Sequence, residues 1–284
     1  TPSVSSAASD VYKRQIKQTG TKLQHDNDLK LSISIIGKPN SGKSTLFNSL
    51  LKKDRSIVSD IPGTTRDSLM EQVIFDDKIF NVIDTAGVPR KKQKEQIDRY
   101  ASNLSIYSLE TSLIAFVVVD STQGINFEDM RLINESIRNY CTPILILNKW
   151  DLLDEEEKLN LNSTLNSHLK KFNWIKVIRI SALTKKGLDK FSNTINEIYS
   201  QLDSRIDTSD LNLFFRELWV SSPPHPFRGR RAKLKYVTQY DTNPPSFSFN
   251  LSSRIPKNYE AFIENKIRKE FKFSNVSMLL KFKS

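Results

Sequence analysis

The sequence predicts an α/β protein in which a doubly wound, mostly parallel sheet is followed by a small α+β domain. Apolar segments suited to buried strands alternate with amphipathic segments between residues 31 and about 202. One of them, residues 113–119, is apolar at every position, as expected for a parallel strand covered on both faces. After Asp203 the pattern changes to extended segments, a helix-like segment and a short final strand.

The boundaries of these elements follow from the same pattern. Strands of the first domain are predicted at residues 31–36, 78–83, 113–119, 143–147 and 176–180. The clearest helix ends near residue 202, and its apolar positions Leu188, Phe191, Ile195, Ile198 and Leu202 recur every three or four residues. The second domain is predicted as α–β–β–α–β, with elements at residues 210–220, 231–240, 246–251, 258–271 and 276–282.

The predicted domains are residues 31–203 and residues 204–284. Residues 1–30 begin with Thr and show no useful hydrophobic period, so we expect a disordered or non-native leader and linker. Net charge is +11, and residues 204–284 hold 15 Lys and Arg against 7 Asp and Glu, a net +8. The basic character of the second domain favours an anionic partner. A single cysteine, Cys141, and the lack of a long apolar run predict a cytoplasmic protein without a membrane span.

A phosphate-binding loop is predicted after the first strand. Gly37 ends the apolar run, and Lys43 and Ser44 open an amphipathic helix seven residues later. Gly37 and Gly42 let backbone N–H groups curl around an anion, Lys43 can reach the β- and γ-phosphates, and Ser44 can ligate Mg²⁺. The candidate nucleotide-binding residues of this loop are Gly37, Lys38, Pro39, Asn40, Ser41, Gly42, Lys43, Ser44 and Thr45.

Four further motifs follow in order along the chain. DTAG (Asp84, Thr85, Ala86, Gly87) can hold Mg²⁺ through the carboxylate and meet a γ-phosphate through the Gly87 N–H. GTTRD at residues 63–67 can add a threonine hydroxyl to the metal, from Thr64 or Thr65. NKWD (Asn148, Lys149, Trp150, Asp151) and SAL (Ser181, Ala182, Leu183) can surround a base.

The NKWD motif selects guanine. Asp151 can accept hydrogen bonds from the guanine N1–H and N2 amine, whereas adenine would leave a buried carboxylate unpaired. Lys149 is expected along the base, and Asn148 is expected to brace the loops. Together the five motifs resemble the G1 to G5 elements of translation-factor-class GTPases, which implies GTP and GDP as substrate and product.

Two residues bear on the mechanism. Val88 follows DTAG, so no side-chain amide stands there to position the attacking water. Asn40 resembles the residue that ligates K⁺ in potassium-activated GTPases, where the cation counters charge as the β–γ bond breaks. The alternative is that Asn40 only stabilises the loop turn.

Longer stretches carry a more specific resemblance. IIGKPNSGKSTLFNSL, DIPGTTRD, NVIDTAGVPRK, DSTQGI, LNKWDLL and SALTKKGLDKF are similar to the second G domain of the Der (EngA) family of bacterial ribosome-assembly GTPases. The segment RGRRAKLKYVTQYDTNPPSFSFNL resembles that family's KH-like domain. The resemblance covers about residues 31–284 and omits the family's first G domain. It implies GTP hydrolysis coupled to maturation of the large ribosomal subunit, and it favours Thr65 as the metal ligand.

The sequence-level assignment is therefore a P-loop GTPase domain with catalytic residues Lys43, Asn40, Thr65 and Gly87. The expected ions are Mg²⁺ on Ser44, Thr65 and Asp84, and K⁺ on Asn40. The expected partner is the large ribosomal subunit and its rRNA, with no DNA partner. Candidate RNA contacts are Arg228, Arg230, Arg231, Lys233 and Lys235.

Two features of the second domain leave its RNA contacts open. Five aromatic residues lie near the basic cluster and either stack on bases or pack in the core, and for each one alone the core is expected: Phe227, Tyr236, Tyr240, Phe247 and Phe249. The last glycine is Gly229, so the GxxG loop that clamps nucleic acid in KH domains is missing. Alternative functions are a GTPase of tRNA modification, and a slow-turnover module gated by guanine nucleotide.

Overall fold

The computed structural model of the chain describes residues 32–53, 69–75, 78–84 and 108–284. The strands are β1 (Ser32–Gly37), β2 (Leu69–Phe75), β3 (Lys78–Asp84), β4 (Ile114–Asp120), β5 (Thr142–Asn148), β6 (Lys176–Arg179), β7 (Leu234–Thr242), β8 (Pro245–Leu251) and β9 (Leu279–Lys283). The helices are α1 (Lys43–Lys53), α2 (Phe127–Arg138), α3 (Glu155–His168), α4 (Lys190–Leu202), α5 (Thr208–Ser221) and α6 (Lys257–Glu270).

The first sheet has six strands in the order β2-β3-β1-β4-β5-β6. All neighbouring pairs are parallel except β2 with β3, which are antiparallel. The five predicted strands are all present, within one or two residues of their expected limits. Strand β2 was not predicted, because Glu71 and Gln72 interrupt its apolar run. The predicted doubly wound fold is confirmed, with an added antiparallel edge strand.

Both faces of this sheet are covered, as the uninterrupted apolar strand requires. Ile114, Phe116 and Val118 of β4 belong to the hydrophobic cluster that contains the apolar faces of α1 and α4. Ala115, Val117 and Val119 belong to a second cluster with α2 and α3. Because successive side chains of a strand point to opposite faces, each face needs its own layer of helices.

The second sheet has three strands in the order β7-β8-β9, with β8 antiparallel to β7 and parallel to β9. The parallel pair is connected by α6 alone, so the predicted α–β–β–α–β order is confirmed. Helix α5 lies against the outer edge of β7. There the Asn212 side chain donates to Val237 O at 2.8 Å and accepts from Val237 N at 2.9 Å, which pairs the edge backbone as a strand would.

The final strand begins later than expected, at Leu279 and not at residue 276. The residues before it contact the first domain. Ser277 N donates to Thr142 Oγ1 at 3.0 Å, and Ser277 Oγ donates to Cys141 O at 3.1 Å. A backbone N–H used in this way is not available to a sheet ladder. The apolar pattern could not distinguish a strand from a buried interdomain contact.

The expectation that each aromatic residue packs in the core holds for Phe247 and Phe249, and it fails for the two tyrosines. Phe247 and Phe249 are fully buried, whereas Tyr236 and Tyr240 are 49% and 42% exposed. Phe227 is half-buried at the start of the turn before β7. Within the described ranges, no helix has both the length and the apolar character needed to cross a bilayer.

Candidate functional site

The predicted phosphate loop connects β1 to α1, at the point where the strand order reverses. Strand β1 pairs with β3 on one side and with β4 on the other, and ligands of open α/β sheets bind at the carboxyl ends of the strands at such a point. The first N–H groups of α1 lie at this point without partners in the helix, and its dipole favours an anion there. The side chains of Ser44 and Thr45, in the first turn of α1, are exposed.

Glycine is required at two positions of this loop. A Cβ on Gly37 would lie 2.4 Å from Val118 O, and a Cβ on Gly42 would lie 2.1 Å from Asn148 Nδ2. Asn40 also has a left-handed backbone, with φ of 64°, which Asn adopts more readily than most residues. Lys43 Nζ donates to Lys38 O at 2.7 Å, which holds the ammonium group within the loop.

Asn148, at the end of β5, ties three loops together. Its Nδ2 donates to Ser41 O of the phosphate loop at 2.9 Å, and its Oδ1 accepts from Ala182 N of the SAL loop at 2.9 Å. Ser49 of α1 adds a bond from its hydroxyl to Ala182 O at 2.8 Å. Asn148 and Ser49 are buried, so these bonds are shielded from water. The phosphate loop and the two candidate base loops therefore form one site.

The turn that carries Asp151 is held by its neighbours. Lys149 has a left-handed backbone, with φ of 60°, and its Nζ lies 2.5 Å from Asp120 Oδ2. Trp150 N donates to Ile180 O at 3.0 Å, and the Arg179 guanidinium lies 5.3 Å from the centre of the Trp150 ring. Asp151 itself is exposed. A carboxylate presented in this way is free to accept hydrogen bonds from a base.

Asp120 was not identified as a site residue from the sequence. It ends the apolar strand β4, and such a polar residue at a carboxyl end was the available signal. Burial opposes ionisation of Asp120, but hydrogen bonds from Lys149 and Thr122 outweigh it and hold the pKa of this carboxyl below its usual value. It therefore remains an anion that positions Lys149 at neutral pH.

Several predicted site residues lie outside the described residues: Thr64, Thr65, Thr85, Ala86, Gly87 and Val88. Asp84 is the last residue of β3, and its backbone is in register with Ile35 of β1. It therefore ends at the same edge of the sheet as the phosphate loop. Ser181 and Ala182 are buried, whereas Leu183 is 83% exposed beside them.

The phosphate loop is also fixed by an ion pair that the sequence did not reveal. Lys38 Nζ lies 3.1 Å from Asp129 Oδ2, and the Asp129 side chain is fully buried. Asp129 Oδ2 also accepts from Asn126 N at 3.1 Å, as part of the capping box of α2. The Asn-x-x-Asp pattern predicts a helix start, but pairing with a residue 91 positions away needs the fold.

Replacing Lys38 by Met is expected to lower the free energy of unfolding by about 3 kcal/mol, because it leaves a buried carboxylate without its counter-ion. Urea denaturation followed by circular dichroism measures this change. The control is Arg138→Met, which breaks a pair with Glu135 whose arginine side chain is 73% exposed. That control is expected to cost less than about 1 kcal/mol. Equal losses in the two variants would contradict a special role for the buried pair.

The basic cluster before β7 is exposed throughout. Phe227 and Arg230 form an isolated antiparallel bridge, and the backbone of Arg228 is left-handed with φ of 50°, so this part is a turn. The strand begins only at Leu234. All five candidate RNA-contact residues have exposed side chains: Arg228, Arg230, Arg231, Lys233 and Lys235.

Comparisons with known proteins match two separate parts of the chain to two families. Residues 32–149 match the family described as 50S ribosome-binding GTPase, and residues 205–283 match the C-terminal KH-domain-like family of EngA bacterial GTPase enzymes. GTPase Der from Chlorobium limicola is 36% identical over 90% of this chain and 60% of its own length. GTPase Der from Pelodictyon phaeoclathratiforme is 35% identical over 96% of this chain and 63% of its own length.

Solved structures of Era align with most of the chain. Era from Aquifex aeolicus, bound to GDP and aluminium fluoride, aligns with 89% of this chain and 93% of that chain. The identity is 21% and the TM-score is 0.48, a similarity too distant to carry an argument about function.

The fold and the braced loops define a P-loop GTPase domain, followed by a KH-like domain. Residues 205–283 match the EngA C-terminal family, and both domains are similar to relatives that carry the name GTPase Der. The chain spans about 60% of the length of the curated relatives it matches.

Proposed function

We propose that this chain hydrolyses GTP to GDP and phosphate in the cytoplasm, and that the hydrolysis times its binding and release on a large ribosomal subunit during assembly. The observation that carries the proposal is the Asn148 brace, which joins the phosphate loop to the two loops that would read guanine. The relatives named GTPase Der and the family described as 50S ribosome-binding GTPase support it.

The residues of the site fit a magnesium nucleotide. A Cβ at Gly37 or Gly42 would collide with Val118 O at 2.4 Å or Asn148 Nδ2 at 2.1 Å, so close packing requires the glycines. A loop without these Cβ atoms also lets backbone N–H groups approach a phosphate. Ser44 and Asp84 lie at one edge of the sheet, and with Thr65 they would hold Mg²⁺. When bound, the ion neutralises charge on the β- and γ-phosphates.

The protein's own part in the reaction is positioning and electrostatic stabilisation. Lys43 would exchange its bond to Lys38 O for the β- and γ-phosphate oxygens, where its charge opposes the charge that develops during transfer. The Gly87 N–H would meet the γ-phosphate. Asp151 would fix the base, so that the γ-phosphate is held in one place for attack by water.

The tRNA-modification alternative would need a reactive thiol or a cofactor domain. Cys141 is fully buried at the start of β5, and burial raises the pKa of its thiol far above the usual range. A buried neutral thiol is a poor nucleophile. The slow-turnover module remains the second candidate, because Val88 supplies no amide to orient water.

Multiple-turnover release of phosphate from GTP by the full chain, with and without purified large subunits, tests the proposal. We expect steady release that large subunits accelerate, together with co-sedimentation that differs between GTP and GDP. Lys43→Ala is the control without activity. Binding of GTP with no more than one phosphate released per chain would favour the slow-turnover module. Turnover indifferent to ribosomal subunits would remove the assembly role.

We further propose that K⁺ assists turnover through Asn40. Turnover is expected to be on the order of 10- to 100-fold faster in KCl than in NaCl, the effect of one added electrostatic stabiliser. Asn40→Ala should abolish this difference, but its left-handed backbone would be strained. Asn40→Gly is therefore the decisive variant, because glycine adopts φ of 64° freely and removes the side chain with its amide oxygen. If Asn40→Gly keeps the response to K⁺, Asn40 is only a turn residue.

A further inference from the structure

The three-stranded sheet packs one face against helices, and its other face exposes side chains mainly from the two outer strands, since Ser246 and Ser248 of the middle strand are buried. Val237, Phe247 and Phe249 are fully buried on the side of α5 and α6. The opposite side, called the outer face below, follows from the strand register. Tyr236 is paired with Asn250, and Asn250 is paired with Lys283. The outer face comprises Tyr236, Thr238, Tyr240 and Asp241 from β7, Ser246, Ser248 and Asn250 from β8, and Leu279, Lys281 and Lys283 from β9.

The outer face has aromatic rings on one strand and cations on another. Asn250 Nδ2 donates to the Tyr236 hydroxyl at 2.9 Å, which fixes that ring across the sheet. Lys281 Nζ lies 4.8 Å from the centre of the Tyr240 ring. Between them the middle strand presents small side chains, of which Ser248 is 8% exposed. The tyrosine rings of β7 and the lysines of β9 therefore lie on either side of β8, whose serine side chains are shorter.

A third tyrosine extends this face toward the first domain. Tyr140, just before β5, is 39% exposed. Hydrogen bonding to Tyr240 raises the pKa of Lys281, and the Tyr140 phenol contributes to the same shift. Tyr140 precedes Cys141 and Thr142, which are both bonded to Ser277, four residues before Lys281.

The charge of the outer face is positive. Lys281 and Lys283 are exposed on β9, and Lys235 is exposed at the start of β7. Across the three strands the one acidic residue is Asp241, at the end of β7, and its carboxylate accepts a bond from the Thr242 N–H. The exposed basic turn at residues 228–233 leads into the same strand. This complementarity favours a polyanion.

The KH clamp is not available to bind such a polyanion. Strands β8 and β9 are joined by the single helix α6, and no glycine follows Gly229. A GxxG loop between two helices therefore has no place in this domain. Exposed rings beside cations on a sheet are instead the means by which proteins bind unpaired bases and their phosphates.

We propose that the outer face binds a single-stranded segment of RNA, with bases stacked on Tyr236 and Tyr240 and phosphates paired with Lys281, Lys283 and Lys235. The inference deepens the proposed function, because it rests on RNA being a partner of this chain. Every base can stack on an aromatic ring, so the face distinguishes single-stranded from duplex RNA and has no sequence preference. The basic turn at residues 228–233 extends the electrostatic path along the backbone.

Fluorescence anisotropy of a labelled twelve-nucleotide oligouridylate, titrated with the full chain at fixed salt, tests this assignment. Tyr236→Ala and Tyr240→Ala are each expected to weaken binding about tenfold, and the double variant about a hundredfold. Tyr236→Phe and Tyr240→Phe keep the ring and should bind nearly as the unaltered chain does. Phe127→Ala, which removes a ring 83% exposed in the first domain, is the matched control and should have no effect.

Three results would overturn the assignment. They are no binding of oligouridylate by the unaltered chain, equal binding by the tyrosine-to-alanine variants, and equal affinity for a duplex RNA of the same length. If the tyrosine-to-alanine variants lose binding to ribosomal proteins freed of rRNA but bind RNA unchanged, the face is assigned to a protein partner. GTP turnover and its stimulation by large subunits are separate readouts. They report failure of the proposed function independently of the outer face.

Discussion

Replacing Asp151 by Asn is expected to change the preferred nucleotide from GTP to XTP. The carboxylate would accept hydrogen bonds from the guanine N1–H and N2 amine, whereas an amide offers one acceptor and one donor. Xanthine has a carbonyl where guanine has the amine, and it matches the amide. Two charge-assisted bonds are worth about 1.5–3 kcal/mol each, so GTP affinity should fall by about two to four orders of magnitude. Competition against a fluorescent nucleotide measures both affinities.

The matched control is Asp154→Asn. Asp154 is three residues away and its exposed carboxylate accepts from Glu157 N at 2.8 Å as the N-cap of α3. Asn is a comparable N-cap, so the same change of chemistry should leave both affinities unaltered. The turn of Asp151 is held through Trp150 and Lys149, so the substitution should not unfold it. An unchanged preference for GTP in Asp151→Asn would remove the base-reading assignment.

Replacing Gly42 by Ala is expected to abolish nucleotide binding under ordinary assay conditions. The new Cβ would lie 2.1 Å from Asn148 Nδ2, so the Asn148 side chain would have to leave its place. It would lose its bonds to Ser41 O and Ala182 N, each at 2.9 Å and buried. Unpaired buried groups cost about 1–3 kcal/mol each, which predicts a loss of GTP affinity of at least about a hundredfold.

Gly229→Ala is the control that distinguishes the collision with Asn148 from the strain of placing alanine at a positive φ. Gly42 and Gly229 both have positive φ, 94° and 76°, but a Cβ on Gly229 has no atom within 4 Å. The control should therefore lose about 1 kcal/mol of stability and keep its affinity for GTP. Isothermal titration with GTP and thermal denaturation distinguish the two effects. Native GTP affinity in Gly42→Ala would contradict the role of the Asn148 brace.

The sequence predicted the parallel sheet well because its strands are buried on both faces. A continuous apolar run such as 113–119 has one explanation in an α/β protein. Strand β2 was not predicted because Glu71 and Gln72 interrupt its apolar pattern. The start of β9 was misplaced because apolar residues that contact another domain have the same composition as those in a strand.

The site was predicted as separate motifs with Asn148 as a brace between loops, but the partners of that brace were not predicted. Glycine, lysine and aspartate at fixed spacings within a short stretch of sequence predict binding of phosphate and guanine. The bonds that join the motifs connect residues 107 and 34 positions apart, and only the fold brings these together. The pairs Lys38–Asp129 and Lys149–Asp120 were missed for the same reason. Tyr236 and Tyr240 were misassigned because composition does not say which face of a sheet is covered.

Strand β5 touches a different neighbour at each end. Asn148 at its carboxyl end bonds the phosphate loop, and Thr142 at its amino end bonds Ser277 of the KH-like domain. Seven residues of strand span about 20 Å, a length fixed by the backbone repeat. The strand therefore sets a fixed distance between the sheet edge that carries Asn148 and the contact with the second domain. A partner can therefore approach the carboxyl end of β5 while the KH-like domain is bonded at its amino end.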